Sequence, residues 1–241
     1  MNRTITFVSL GPGEPELITL KGLKNLQQAD RIFCPATLTT SGKQVSRAAH
    51  ILRALEIEEE KIHPFVLPMS KDRQKAIEAY DRLLSDAIRA LQEDKKVVIV
   101  AEGDAGFYTS IQYIYHQLEK QQIRVQRVPG IPAFIAAGAT GGLHIVKQEE
   151  RLMVIPGIAT SDELDQLIRQ EYNLVIMKLS ACIEAVHTCI RQHPEAQFHY
   201  FENVGTEKEK YISDPAIIAQ TDFPYFSLLI IQCKHSANYR Y

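Results

Sequence analysis

Two carboxylates, Glu102 and Asp104, flank a glycine directly after the apolar run Val97-Val98-Ile99-Val100-Ala101. At the end of a buried strand such carboxylates can accept hydrogen bonds from the hydroxyls or amines of a ligand, and Gly103 and Gly106 let the backbone come close to it. Two other strand ends are equally bare: Gly11-Pro12-Gly13 after Ile5 to Leu10, and Pro129-Gly130-Ile131-Pro132 after Arg124 to Val128. Ligands of open α/β sheets bind beyond the carboxyl ends of the strands, so three glycine-bearing turns at such ends point to a binding edge. Taken singly, each glycine also reads as a tight turn. Asp104 reads equally as an N-cap for the helix through Ile111, Tyr113 and Leu118.

Familiar phosphate loops do not fit. Gly11-Pro12-Gly13 begins like a dinucleotide fingerprint, but Glu16 stands where the third glycine belongs, and the acid Asp30 precedes the second strand instead of ending it. No GxxxxGK[ST] is present.

Short β-branched runs alternate with longer amphipathic stretches, which predicts βα units and a parallel sheet. Strands are expected at Ile5 to Leu10, Arg31 to Cys34, Lys61 to Val66, Val97 to Ala101 and Arg124 to Val128. A second series covers Leu152 to Ile155, Leu174 to Lys178, Phe198 to Glu202 and Ser227 to Cys233, with an extra strand at Glu209 to Ser213. Ala76, Tyr80, Leu83, Leu84, Ala87, Ile88 and Leu91 stripe one face of a helix over Asp72 to Gln92. A small-residue helix over Ala133 to Gly142 follows the fifth strand. The glycine-bearing and then polar and charged segment Gly141 to Arg151 reads as a linker, with a boundary ten residues earlier as the alternative. Two α/β domains result, 1–142 and 143–241.

With 45% hydrophobic and 23% charged residues in 241, the chain has the composition of a soluble globular protein, and no stretch approaches the ~20 apolar residues of a membrane helix. The N-terminus lacks the apolar segment of a secretory signal, which makes the cytoplasm the expected location. Lys and Arg number 27 against 29 Asp and Glu, a net charge of -2 that offers no general field to nucleic acid or an anionic membrane. Cys34, Cys182, Cys189 and Cys233 form no CxxC and read as buried free thiols. The histidines are scattered without ligand spacing, so no protein-bound metal is expected.

Three stretches carry a resemblance: Val8-Ser9-Leu10-Gly11-Pro12-Gly13 with Leu17-Ile18-Thr19-Leu20-Lys21-Gly22 and Ala29-Asp30; Glu102-Gly103-Asp104; and Val128-Pro129-Gly130-Ile131. In order and spacing they resemble the tetrapyrrole (corrin/porphyrin) methylases, and the similarity extends over essentially the whole chain. Phe65-Val66-Leu67-Pro68-Met69 with Asp72-Arg73, Phe107-Tyr108-Thr109-Ser110 after Gly103-Asp104, and Val175-Ile176-Met177-Lys178 are most similar to the branch that methylates carbon 20 of precorrin-2 or of its cobalt-containing counterpart (cobalt-factor II). Ala105 stands where many relatives have proline, and Ser9 where glycine is common.

The resemblance implies two α/β domains with the active site in the cleft between them, a homodimer, and an S-adenosylmethionine-dependent methyltransferase of cobalamin biosynthesis, with any cobalt carried inside the substrate. Position by position it implies cofactor contacts from Pro12, Glu102, Gly103, Asp104, Phe107, Pro132, Ala133, Lys178, Val204 and Gly205. Methyl transfer from a sulfonium is mainly a matter of positioning. Asp104 and Tyr108, in the best-matched loop, are the candidates for proton handling or polar orientation. Gly11 and Gly13 leave room for a large flat ring. Its carboxylates call for local cations, for which Lys43, Arg47, Lys71, Arg73 and Lys75 are candidates, each also readable as a solvated helix-face charge. The alternatives are another ring position, a protein or ribosomal RNA substrate, which the lack of surplus basic charge disfavours, and a non-catalytic S-adenosylmethionine-binding module.

Overall fold

A computed structural model of the protein describes residues 4–39, 41–68 and 73–233, with only the backbone of Arg73. Met69, Lys71, Asp72 and the side chain of Arg73 therefore lie outside the described residues. Two compact units divide at Pro132/Ala133, ahead of 142/143 and at the earlier position that the sequence also allows. The small-residue helix that opens the second unit accounts for the difference: a Cβ built on Gly138 would stand 2.8 Å from Ile145, and one on Gly141 would stand 2.8 Å from Phe201. Those close approaches pack it on the second unit.

The first unit contains β1 (Thr4–Ser9), α1 (Leu20–Gln28), β2 (Arg31–Leu38), β3 (Gln44–Val45), α2 (Arg47–Ala54), β4 (Ile62–Val66), α3 (Arg73–Gln92), β5 (Val97–Ala101), α4 (Gln112–Lys120) and β6 (Arg124–Val128). Its sheet runs β3-β2-β5-β1-β6 with β4 also on β2. Every pairing in it is parallel except that of the short β3. All five residues of β5 are buried, which explains its unbroken apolar sequence. Alternation does the rest. Ile5, Phe7 and Ile99 face the α3 and α4 stripes of Tyr80, Leu83, Ala87, Ile114 and Leu118. Val8, Leu10, Val98 and Val100 face Leu26, Ile51 and Leu52 of α1 and α2.

The strand expected to end at Cys34 runs on through Pro35 to Leu38. Proline is tolerated there because pairing with β5 stops at Phe33, and the Pro35 carbonyl accepts Ser46 Oγ at 2.6 Å instead.

The second unit contains α5 (Ala133–Thr140), β7 (Arg151–Ile155), α6 (Ser161–Arg169), β8 (Tyr172–Met177), α7 (Ile183–Gln192), β9 (Gln197–Glu202), β10 (Lys210–Ile212), α8 (Pro215–Ile218) and β11 (Ser227–Gln232). Here the parallel-sheet expectation needs correction. The order is β10-β9-β11-β8-β7, and only β7 and β8 pair in parallel. β11 lies antiparallel between β8 and β9, and β10 returns antiparallel on β9 after a connection too short for a crossover helix. Because β8 and β9 are both antiparallel to β11, the carboxyl ends of β7, β8 and β9 point the same way. Leu164, Ile168, Leu174, Ile176, Val186, Phe198, Tyr200, Leu229 and Ile231 form its main core.

The cysteines are free, as the sequence suggests. Burial pushes the thiols of Cys34 and Cys189 up to about 11 and about 12. No helix among the described residues is long and apolar enough to cross a membrane.

Two histidines make stability depend on pH. His63, held below its ordinary value by burial and by the Arg31 guanidinium, lies 2.9 Å from Arg31 Nη1. Burial likewise lowers His199, whose Nδ1 lies 2.8 Å from the Tyr211 hydroxyl. Since the folded values lie below the unfolded value of about 6.5, the unfolded chain takes up protons first as pH falls. Stability is complete above about pH 6.5 and declines below it towards the folded values. Urea melts followed by circular dichroism should give a lower midpoint at pH 5.5 than at pH 7.5, and His199→Gln should reduce that difference; a pH-independent midpoint would refute it.

Candidate functional site

Three turns predicted to hold a ligand meet at the carboxyl end of the first sheet, and the backbone itself joins two of them. Gly11 N–H donates to Gly103 O at 3.1 Å and Gly103 N–H returns to Gly11 O at 2.7 Å, a two-residue antiparallel bridge between the ends of parallel strands. Gly11 and Gly103 have φ of 80° and 69°, a region where a side chain is strained.

Ser9 ties in the third turn. Its fully buried hydroxyl donates to Val128 O at 2.7 Å and accepts Ala105 N–H at 2.8 Å. The serine seen in the sequence only as a departure from glycine thus bridges all three strand ends. Gly130 packs against it so closely that a Cβ there would stand 2.4 Å from Ser9 Cβ and 2.9 Å from Gly103 O.

Asp104 does not cap α4, whose N-cap is Ile111 without any side-chain bond. Its Oδ1 accepts Gly106 N–H and its Oδ2 accepts Gly130 N–H, both at 2.7 Å. The capping expectation fails because the carboxylate turns back across the loop and braces the second turn against the third. Phe107 N–H closes the same turn on Asp104 O at 3.1 Å. Tyr108 follows with φ 47°, its ring edge-on to Phe107 at 4.7 Å and partly in solvent. An aromatic residue in the left-handed region stores on the order of 1 kcal/mol of strain or more.

Glu102 faces α2. Burial raises its carboxyl above the usual range, opposed by the Arg47 guanidinium and by Ala48 N–H. Arg47 Nε lies 3.7 Å from Glu102 Oε2, and its Nη2 donates to Pro12 O at 3.3 Å. One cation therefore links the first loop, the second loop and the start of α2. Lys43 takes no part in these contacts: its backbone closes an exposed turn on Thr39, and Lys75 is exposed on α3.

In the second unit the implied residues again share one sheet end. Lys178, with φ 58°, follows β8 and donates its backbone N–H to Ser227 O. Asn203, with φ 52°, follows β9 and donates to Phe226 O; buried Val204 and then Gly205, with φ 73°, continue that turn. Pro132 and Ala133 lie at the junction of the units, Ala133 opening α5. Gly157 was missed by sequence reasoning. Its absent side chain matters because a Cβ would stand 2.4 and 2.5 Å from the carbonyl oxygens of Met177 and Lys178. The signal was present, since Ile155-Pro156-Gly157-Ile158 repeats the pattern of Val128-Pro129-Gly130-Ile131. Among the described residues no group of three or more His, Cys, Asp or Glu could hold a metal ion.

The model of the family "Tetrapyrrole (Corrin/Porphyrin) Methylases" matches residues 4–216 of this chain. The chain belongs to the tetrapyrrole methylases. It is 26% identical over 228 residues to a precorrin-2 C(20)-methyltransferase of Sinorhizobium sp., covering 93% of each. It is 29% identical over 171 residues to a probable cobalt-precorrin-2 C(20)-methyltransferase of Methanocaldococcus jannaschii, covering 71% of this chain and 70% of the relative. Its fold is similar, with TM-score 0.67 at 19% identity, to a uroporphyrin-III C-methyltransferase of Thermus thermophilus complexed with S-adenosylhomocysteine; 95% of this chain and 97% of that one are covered. In this tetrapyrrole methylase the strand-end turns follow the family's order with a serine as their buried connector.

That connector is testable. Ser9→Ala leaves Ala105 N–H and Val128 O without their partner and should cost about 1–3 kcal/mol in a urea melt. Gly130→Ala should cost a comparable amount through overpacking, about 1–3 kcal/mol. In a Ser9→Gly background, where its nearest neighbour is removed, the Gly130→Ala cost should shrink; strictly additive losses would show that the two residues do not constrain each other.

Proposed function

We propose that this chain moves a methyl group from S-adenosylmethionine to carbon 20 of precorrin-2 or of its cobalt-containing counterpart, a step of cobalamin biosynthesis. The observation that carries the reading is the Gly11–Gly103 backbone bridge, which sets two family loops side by side with the Glu102 and Asp104 carboxylates next to it. The assignment of carbon 20 is supported by the names of the two curated relatives. A homodimer in the cytoplasm, implied by the resemblance, completes the proposal.

The residues of the first unit fit the methyl donor. Where a Cβ would stand on Gly103 no atom lies within 4 Å, so bare backbone borders open space. When bound, S-adenosylmethionine supplies an electrophilic methyl group on a sulfonium. Gly103 and Pro12 offer backbone to it, Glu102 accepts hydrogen bonds, and Arg47 keeps the loop carrying Pro12 fixed. Phe107, Pro132, Ala133, Lys178, Val204 and Gly205 are the further contacts. Holding donor and acceptor carbon in line supplies on the order of 7–11 kcal/mol in favourable cases.

As the new carbon–carbon bond forms, carbon 20 must lose its proton. Both oxygens of Asp104 already accept backbone amides, so Asp104 acts as a positioning residue that orients the loop. Tyr108, partly exposed beside it, is assigned the relay: its phenol oxygen takes the carbon-20 proton as its own O–H proton passes to water, so the hydroxyl is regenerated. Gly13 keeps a side chain away from the ring, whereas a Cβ on Gly11 would meet Leu17 O at 3.2 Å, which assigns Gly11 to the shape of the loop.

Incubation of the protein and S-adenosylmethionine with metal-free and cobalt-loaded precorrin-2 should give a tetrapyrrole heavier by one CH2, detected by mass spectrometry. No mass change with either substrate would overturn the proposal, and a methyl group found elsewhere on the ring would overturn carbon 20 alone. Tyr108→Phe should lower kcat at saturating substrate by about a hundredfold, the lower end of general acid–base contributions. Unchanged turnover would remove Tyr108 from proton handling.

A further inference from the structure

The parallel register of β1 and β6 places Arg127 opposite Phe7, near the carboxyl end of the first sheet and on the face that carries α3 and α4. There the Arg127 guanidinium carbon lies 4.2 Å from the centroid of the Tyr115 ring. No carboxylate among the described residues lies within the 4.0 Å of an ion pair with it. A cavity of about 170 Å³ opens beside it, under the turn that carries Tyr108. Its polar walls are Arg127, Thr109, Gln112, Tyr115, His116 and Tyr108, and neither Asp nor Glu lines it. The nearby acids are engaged elsewhere: Asp104 on the amides of Gly106 and Gly130, Glu119 on His116 at 3.5 Å. The first turn of α4, which borders the cavity, has no acidic residue either.

Stacking on Tyr115 occupies one face of the guanidinium and leaves its in-plane N–H groups free to form a fork around a planar anion. Pockets that enclose whole small molecules measure about 300–1,000 Å³, so 170 Å³ admits a side arm and excludes a macrocycle.

We infer that Arg127, with Gln112 and Thr109, forms a subsite for one carboxylate arm of the tetrapyrrole, a role that rests on the methyl transfer proposed above. The arm enters past Tyr108, its carboxylate meets the guanidinium edge, and the ring is fixed in rotation relative to the proton-handling residue. Arg127 thereby sets which edge of the ring faces the loop of Asp104. It is a binding and orienting residue with no part in the bond-making step.

The test is steady-state kinetics with Arg127→Ala, Arg127→Met and Arg127→Lys, each checked by sedimentation. Arg127→Met keeps an unbranched side chain over Tyr115 and removes the charge. Alanine and methionine should each raise KM for the tetrapyrrole about tenfold or more, the lower range for a charge-assisted hydrogen bond, while KM for S-adenosylmethionine stays within about twofold. Lysine, a point charge without the fork, should recover part of the loss. Unchanged KM in all three variants would overturn the subsite. So would wild-type KM in Arg127→Met, which would assign the effect to packing, or altered sedimentation, which would assign Arg127 to contact between copies of the chain. The wild-type assay runs first: no tetrapyrrole turnover there rejects the methyl transfer and the subsite together, whereas normal wild-type turnover with insensitive variants rejects the subsite alone.

Discussion

A single buried hydroxyl governs the geometry at the carboxyl end of the first unit's sheet. Parallel strands end without any hydrogen-bonding obligation to one another, and the loops that leave them would otherwise be free to diverge. Ser9 removes that freedom by giving its proton to Val128 O and its lone pair to Ala105 N–H inside the core. A buried hydroxyl is stable only when both capacities are used, so the two bonds stand or fall together. Asp104 adds the outer layer of the same brace, and the Gly11–Gly103 bridge a third.

The electrostatics follow from this bracing. Glu102 is carried into a partly buried place by the strand end it occupies, and burial alone disfavours its charge. Arg47 answers it from the first residue of α2, where a cation opposes the helix dipole and would be poorly placed without such a partner. At the second unit's strand ends Glu202 accepts hydrogen bonds from Tyr200 Oη and Asn203 Nδ2, and Glu209 accepts Gly205 N–H. Left-handed backbone at Lys178, Asn203 and Gly205, with Gly157 pressed against two carbonyls, shapes its strand ends by sterics.

Much of this was legible in the residues. The limits of β5 and β6 follow from apolar or alternating runs bounded by polar turns, and the same pattern places the three glycine turns at one sheet edge. Strand direction was not legible, because alternation reads the same along a strand in either sense; hence β11 appeared as another parallel member. The partner of Asp104 was hidden for a related reason: Gly130 lies 26 residues away, and nothing local distinguishes a carboxylate that caps the next helix from one that reaches another loop. Nothing local in Arg124 to Val128 singles out Arg127. Its place beside Phe7, and its stacking on the ring of Tyr115, emerge only from the register of β1 and β6.

The sequence separations across Ser9 bear on how the protein is made. Its acceptor lies 119 residues along the chain and its donor 96, so neither bond can form until most of the first unit has been synthesised. Contacts of such long range close late in folding, after the loop entropy of the intervening strands and helices has been overcome. A ribosome-bound chain that stops short of Val128 has β1 and β5 in hand but no third turn for the serine to grip. The strand-end edge joined by Ser9 is therefore among the last features of the first unit to assemble.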